Sequence, residues 1–386
     1  MVLILEKEEE VFAKMRFIKM ISALFIVFNC FSMAITAGTE QIDENIRYQQ
    51  ERMDYLRNEF YTDYTPCDES EFASFDIEKA IASGVKYNEV QFLATHNSYQ
   101  IEATEEYKKL YQIFSDITFG ILRAETADFT MDSITEQFEL GIRGIELDIE
   151  TVEENGQASF IVAHNPLYDN TSSCYDFETA IEEIKMWSDN NPSHLPLTII
   201  IEPKKDVIEI NNLKSFKIEY AKMIDEILRE KMGDTLLTPA EMMGGYESLK
   251  EMRENDGWLP LEKTMGRVIF LLHDTTVTSK YINQDKSIKT QAMFPMLRYA
   301  DRNKSYASFI IDNHPDQAIA HEGETIDKCN LLVRTRADFY PDFSERRYAY
   351  ADECAAQIIS TDFPIRKGES RYHEYSFDGY TAKLQK

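Results

Sequence analysis

The sequence lacks most of the signatures that announce common activities. It has no P-loop, no dinucleotide-binding glycine fingerprint and no Gly-x-Ser-x-Gly elbow, so neither a nucleotide-binding turn nor a serine nucleophile is indicated. Its 5 cysteines form no Cys-x-x-Cys pair and no Cys/His cluster, which gives no ground for a structural zinc site. Basic residues are few: 41 Lys and Arg stand against 68 Asp and Glu, for a formal net charge of -27. No basic patch stands out to neutralise phosphates, which argues against a nucleic-acid partner. The same charge opposes long-range attraction to an anionic membrane and fits a soluble protein or one that gathers cations. Solenoid repeats and low-complexity tracts are also missing.

What is present suits a large globular domain. A hydrophobic content of 43% supports a sizeable core and argues against general disorder. The N-terminus reads as a targeting signal, with MRFIK (15–19) as a basic n-region and MISALFIVFNCFSMAITA (20–37) as the apolar segment and its exit. Ser32, Ala34 and Ala37 offer cleavage positions, and Met15 is a candidate start. Residues 1–37 are therefore expected to be a signal peptide and 38–386 a single catalytic domain, secreted or periplasmic. Removal of the signal takes Cys30 and leaves Cys67, Cys174, Cys329 and Cys354, an even number that suggests two disulfides in an exported chain. Sequons at Asn170 and Asn303 would be used only in a eukaryotic secretory route.

Beyond a helical lead-in at 38–88, with an amphipathic stretch IRYQQERMDYLRNEF, short apolar runs recur between helical stretches. They are EVQFLAT (89–95), GIRGIELDI (141–149), SFIVAHN (159–165), LTIIIEPK (197–204), RVIFLLHD (267–274), ASFIIDN (307–313), LLVRTRAD (331–338) and QIISTDF (357–363). Near-continuous rather than alternating, they read as strands buried on both faces. Helices are expected from Asp176 as N-cap, over NLKSFKIEYAKMIDEILREKMG ending at Gly233, and over SERRYAYADECAAQ. Eight such strands predict an α/β fold, a (β/α)8 TIM barrel, with a doubly wound open sheet as the alternative.

A barrel of this kind carries its chemistry at the C-terminal ends of the strands. The first run ends in His96-Asn97, the second carries Glu146 and Asp148, the third ends in His164, and the fourth ends in Glu202 and Lys204. Residues two apart on a strand point to one side, so Glu146 and Asp148 face the same way. Adjacent buried carboxylates repel and lose hydration, and a bound cation relieves this directly. Asn97, Glu146, Asp148 and Glu202 together offer four oxygen ligands and no sulfur, a set suited to calcium, with magnesium or manganese also compatible. Two histidines at the same mouth suit acid–base work at phosphorus. His273 and His314 also follow strands and are read as structural; His194, His321 and His373 are read as loop residues.

The motifs ATHNSY, GIRGIELDIE, VAHNP and IIIEPK, followed by LVRTRAD and QIISTDFP, resemble in order and spacing the secreted calcium-dependent branch of the phosphatidylinositol-specific phospholipases C, over about residues 85–365. The resemblance implies a TIM barrel that cleaves phosphatidylinositol to diacylglycerol and a cyclic inositol phosphate, through attack of the inositol 2-hydroxyl on its neighbouring phosphate. It implies His96 and His164 as catalytic residues, His164 as the acid toward the leaving oxygen and His96 as base or transition-state stabiliser. A calcium-bound carboxylate is the alternative base. It implies Ca2+ on Asn97, Glu146, Asp148 and Glu202. Lys204 and Arg336 are placed by strand geometry to contact the phosphate or ring, and an inositol phospholipid at a membrane surface is the expected partner of a monomeric enzyme. Two other readings stand beside this one. Glycerophosphodiester phosphodiesterases share the barrel, although they begin with His-Arg where this chain has His96-Asn97. A catalytically inactive barrel that binds inositol lipids or sugars is the other.

Overall fold

A computed structural model describes residues 41–105, 108–109, 112, 116, 130–164, 171–204, 212–273, 275–317, 330–340, 342–366 and 374–385. The expected signal peptide at 1–37, Cys30, Asn170, His321, Cys329 and His373 lie outside them. The strands are β1 Val90–Thr95, β2 Gly144–Glu154, β3 Gln157–Val162, β4 Leu197–Pro203, β5 Leu213–Lys214, β6 Val268–Leu272, β7 Phe294–Arg298, β8 Phe309–Ile311, β9 Leu332–Arg336, β10 Ile358–Thr361 and β11 Ala382–Leu384. Parallel pairing runs β1–β2–β4–β6–β7–β8–β9–β10 and returns from β10 to β1. The result is a closed eight-stranded parallel barrel with helices between strands, the TIM architecture predicted from the strand pattern.

Closure depends on one small residue. Ala94 on β1 lies opposite Gly144 on β2, and a Cβ on Gly144 would fall 2.5 Å from that of Ala94. Glycine lets the two backbones approach and complete the ring.

One of the eight expected strands needs correction, and one barrel strand was not expected. SFIVAHN does not enter the barrel: β2 runs beyond the ring, reverses at Asn155-Gly156, both with positive φ, and β3 returns antiparallel with Ile149 opposite Val162. An Asn-Gly turn between such runs is a hairpin signal, and apolar content alone does not tell a barrel strand from a hairpin arm. The missing barrel strand is β7, FPMLR, which is short and contains Pro295, so it reads weakly as a strand.

The helices match expectation more closely. Phe177–Asn190 is capped by the Asp176 side chain accepting from the Thr179 N–H. Ile218–Met232 ends at Gly233 with φ 52, though LK at 213–214 forms β5 rather than helix. Glu345–Glu353 precedes β10. The lead-in is helical over 41–55 and packs along the barrel wall, where Arg52 pairs with buried Glu183 and donates to the Ser173 carbonyl at 2.6 Å.

No disulfide is seen among the described residues, where Cys67 and Cys174 are free thiols, and Cys329, a member of the expected pairs, lies outside them. Cys354 Sγ donates to the Ala351 carbonyl within its own helix end, while Cys67 sits against Tyr64 and Glu139. Burial raises the Cys67 thiol to about 11 and the Cys174 thiol to about 12. Among the described residues no helix is long and apolar enough to cross a membrane.

Just before β2, Arg143 is fully buried and holds the strand's entry. Its guanidinium pairs with Glu69, donates to the carbonyls of Phe138 and Ile142 at 2.8 Å each, and lies between the rings of Phe72 and Trp187. Breaking a buried pair on one side leaves the partner's charge uncompensated. Arg143→Ala is expected to lower unfolding free energy by about 3–5 kcal/mol in urea titrations.

Candidate active site

Parallel pairing puts every barrel-strand C-terminus at one end, and the polar residues that interrupt the apolar strands gather there. On β2, Glu146 and Asp148 point to the same side and are both buried; Asp148 stands in register with Glu202 on β4. Lys204, after β4, places Nζ 2.8 Å from Asp148 Oδ2 and 2.9 Å from Glu202 Oε1. Tyr99 donates its hydroxyl to the same Asp148 oxygen at 2.9 Å. From the opposite wall, Arg334 on β9 reaches Glu146 Oε2 and is steadied by Ser360 and Asn313.

The charges in this cluster do not balance. Glu146, Asp148 and Glu202 face two cations, Lys204 and Arg334. Burial, with repulsion from Glu202 and Asp148 and against the pull of Arg334, raises the Glu146 carboxyl to about 8. Burial also raises Asp148, against the attraction of Lys204. Glu202 is desolvated too, but Lys204 and His273 outweigh that and bring it to about 2. Desolvation works against the Lys204 ammonium as well, and its two carboxylates overcome it and raise its pKa. Asp148 Oδ1 is buried and has no hydrogen-bond partner among the described residues. An orphaned hard oxygen beside surplus negative charge fits a divalent cation of the calcium class. Candidate ligand atoms of Glu146, Glu202 and His273 all lie within 4.8 Å of one another. His273, read from sequence as structural, stands with Nε2 3.8 Å from Glu202 Oε2.

A second group adjoins the first. His96 follows β1, and its Nδ1 lies 2.8 Å from Asp362 Oδ1 at the end of β10. Arg336 on β9 binds the other Asp362 oxygen at 2.6 Å and sits 3.2 Å from His96 Nε2. A guanidinium only donates, so Nε2 carries the lone pair and Nδ1 the proton given to Asp362. Burial and Arg336 outweigh Asp362 and lower His96 to about 4, so the ring is neutral at physiological pH. Asp362 resists its own desolvation through His96 and Arg336 and falls to about 2. Asp338 braces it, accepting from the Asp362 backbone N–H at 2.6 Å and from the Thr361 hydroxyl. Burial and Asp362 together raise Asp338 to about 7.

The remaining expected residues flank these groups. Asn97 takes a left-handed conformation, φ 46, which asparagine tolerates, and the next residue ties the turn to β2. The Ser98 N–H donates to the Glu146 carbonyl, and its hydroxyl accepts from the Glu146 N–H. His164 follows the β3 return, where the Ala163 N–H donates to the Asp148 carbonyl at 3.0 Å, and its charge bears on Asp148. His164 is thus delivered by a hairpin, not by a barrel strand. Sequence reasoning missed Arg334, Asp338 and Asp362 as members of the site. The signal was there in LVRTRAD, where Arg334, Arg336 and Asp338 fall on alternate positions at and just after the end of a strand.

The sequence family described as "Phosphoinositide phospholipase C, Ca2+-dependent" matches residues 150–385. Among solved structures, the chain is similar to a calcium-dependent phosphoinositol-specific phospholipase C from Pseudomonas sp, apo form, with TM-score 0.54 and 16% identity over 82% of this chain and 100% of that one. It is similar to the same enzyme's myoinositol complex, TM-score 0.54 and 16% identity, over 83% of this chain and 100% of that one. A Ca+2 dependent phosphatidylinositol-specific phospholipase C from Streptomyces antibioticus gives TM-score 0.50 and 18% identity over 72% of this chain and 94% of that one. No curated protein matches the sequence.

A cation can take Glu146 only as the carboxylate. Calcium affinity, measured by calorimetry across pH, is therefore expected to rise from about pH 6, by up to about tenfold per unit, and to level off above about 8, where Glu146 has lost its proton.

Proposed function

The chain belongs to the calcium-dependent phosphoinositide phospholipase C family, and on that footing we propose that it cleaves phosphatidylinositol to diacylglycerol and a cyclic inositol phosphate. The observation that carries this reading is the juxtaposition at one barrel mouth of an unbalanced carboxylate cluster and a histidine oriented by a buried aspartate.

Asn97, Glu146, Asp148 and Glu202 are the residues proposed to hold Ca2+. Bound there, the cation would offset charge developing on the phosphoryl oxygens. His96, with its Nε2 lone pair exposed once Arg336 turns to an anionic substrate, takes the proton of the inositol 2-hydroxyl. Asp362 holds the ring and stabilises the imidazolium that results. The oxygen of that hydroxyl attacks phosphorus, and His164 gives a proton to the departing diacylglycerol oxygen. Lys204 and Arg336 hold the phosphate and ring oxygens. The charges support this division: the cluster's surplus negative charge becomes a single positive one with a divalent ion present, which matches the one negative charge of a phosphodiester.

A membrane surface is the proposed setting. Phe343 is exposed in the loop after β9, packed edge-on against Tyr348 and followed by Arg346 and Arg347. Phe339 of the same loop lies under both Arg336 and Arg347. An apolar ring beside arginines gives an acidic protein a local means of meeting anionic lipid. Secretion as a single-domain monomer, after loss of residues 1–37, remains our proposal; Asn303 lies exposed in a turn between β7 and β8, open to glycosylation in a eukaryotic secretory route.

Phosphorus NMR of phosphatidylinositol vesicles incubated with the protein tests the reading. A cyclic inositol phosphate resonance is expected with calcium and is expected to vanish with excess EGTA. Turnover of glycerophosphocholine with phosphatidylinositol left intact would overturn it.

A further inference from the structure

The proposed oxygen ligands leave one feature of this barrel mouth unused. His273 follows β6, the neighbour of β4 in the ring, and among the described residues it brings an imidazole nitrogen, able to bind a metal, to the carboxylates of Glu146 and Glu202. Ligand atoms of Glu146, Glu202 and His273 lie within 4.8 Å of one another. An ion about 2.0–2.4 Å from each ligand bridges such a span. The His273 ring is half-buried and faces Glu202 Oε2 at 3.8 Å, beyond hydrogen-bond distance. Two neighbouring cations each approach one of these carboxylates, Lys204 at Glu202 and Arg334 at Glu146, and the two carboxylates themselves lie within hydrogen-bonding reach of each other, as the donors around a shared ion would.

A second observation points to an ion in the same place. Asp148 is fully buried, in register with Glu202, and shares Lys204 with it. Its Oδ1 has no hydrogen-bond partner among the described residues. A buried carboxylate oxygen left in this way is costly unless something else satisfies it.

Calcium prefers oxygen, whereas an imidazole beside two carboxylates suits ions of borderline softness. We propose that His273 is a ligand of the cation held by Glu146 and Glu202, which makes this mouth a binding site for zinc and manganese in competition with calcium. The inference rests on the cation site proposed above and adds to it both a nitrogen ligand and a second class of ion. Its consequence is regulatory: a zinc-class ion on Glu146, Glu202 and His273 displaces calcium and silences the enzyme, and a chelator selective for zinc restores it.

Titration calorimetry with ZnCl2 and with CaCl2, on the full chain and on His273→Gln and Glu202→Gln variants, tests this. In His273→Gln, zinc affinity is expected to fall at least about tenfold while calcium affinity changes by less than about threefold. Pulsed EPR of the Mn2+-loaded protein is expected to show imidazole nitrogen coupling that His273→Gln removes. Unchanged zinc affinity in His273→Gln, or nitrogen coupling that survives the substitution, would overturn the role of His273. Glu202→Gln separates this from the wider reading: it is expected to weaken both ions, and calcium affinity untouched by it would overturn the shared cation site itself.

Discussion

The molecule is organised around a charge imbalance that its barrel cannot relieve by itself. Glu146 and Asp148 are buried on one strand, Glu202 joins them from the next, and Lys204 and Arg334 together supply one positive charge too few. In a low-dielectric interior such a surplus either draws a proton or draws a cation. Glu146 shows the first outcome, with its carboxyl raised to about 8. A divalent ion would supply the second and leave the site ready for an anionic substrate. The fold accepts this cost because the strands are held elsewhere. Arg143 anchors the entry of β2, Gly144 seals it to β1, and an apolar wall surrounds both.

Beside this cluster, β9 and β10 build a network of a different kind, in which Arg336 matches Asp362 and hydrogen bonds do the rest. Asp338 fixes the backbone of Asp362, Asp362 fixes the Nδ1 side of His96, and Arg336 closes the ring at Nε2. Burial and Arg336 hold the histidine neutral against Asp362, which sets its tautomer, and Arg336 covers the lone pair. In the proposed function one half of the mouth would manage metal and phosphate charge and the other a proton. β9 serves both, since Arg334 faces the carboxylates and Arg336, two residues on, faces the histidine.

Much of this was legible in the sequence. Nearly continuous apolar runs ending in polar residues predicted the barrel, and the period of two in Glu146-Leu147-Asp148 predicted a shared face. The misassignments have physical causes. The run at 159–165 is as apolar as a barrel strand because the β2–β3 hairpin is itself packed on one face, and Pro295 disguised the strand that took its place. Asp362 and Arg334 were invisible as site residues because their significance lies in partners far along the chain, Asp362 with His96 and Arg334 with Glu146. His273 was weighed as a lone residue, and a lone histidine after a strand carries no sign of the two carboxylates that approach it in the folded chain. The disulfides were read from an even count, which says nothing of distance, and Cys67 and Cys354 settle in separate environments.

The central claim is that the unbalanced carboxylates at the barrel mouth are completed by a cation. Anomalous diffraction from crystals grown with calcium tests it most directly. The account expects one calcium peak within bonding distance of the Glu146 and Glu202 carboxylates. An empty cluster in a protein that still cleaves phosphatidylinositol, or calcium bound only at a distant surface, would contradict it.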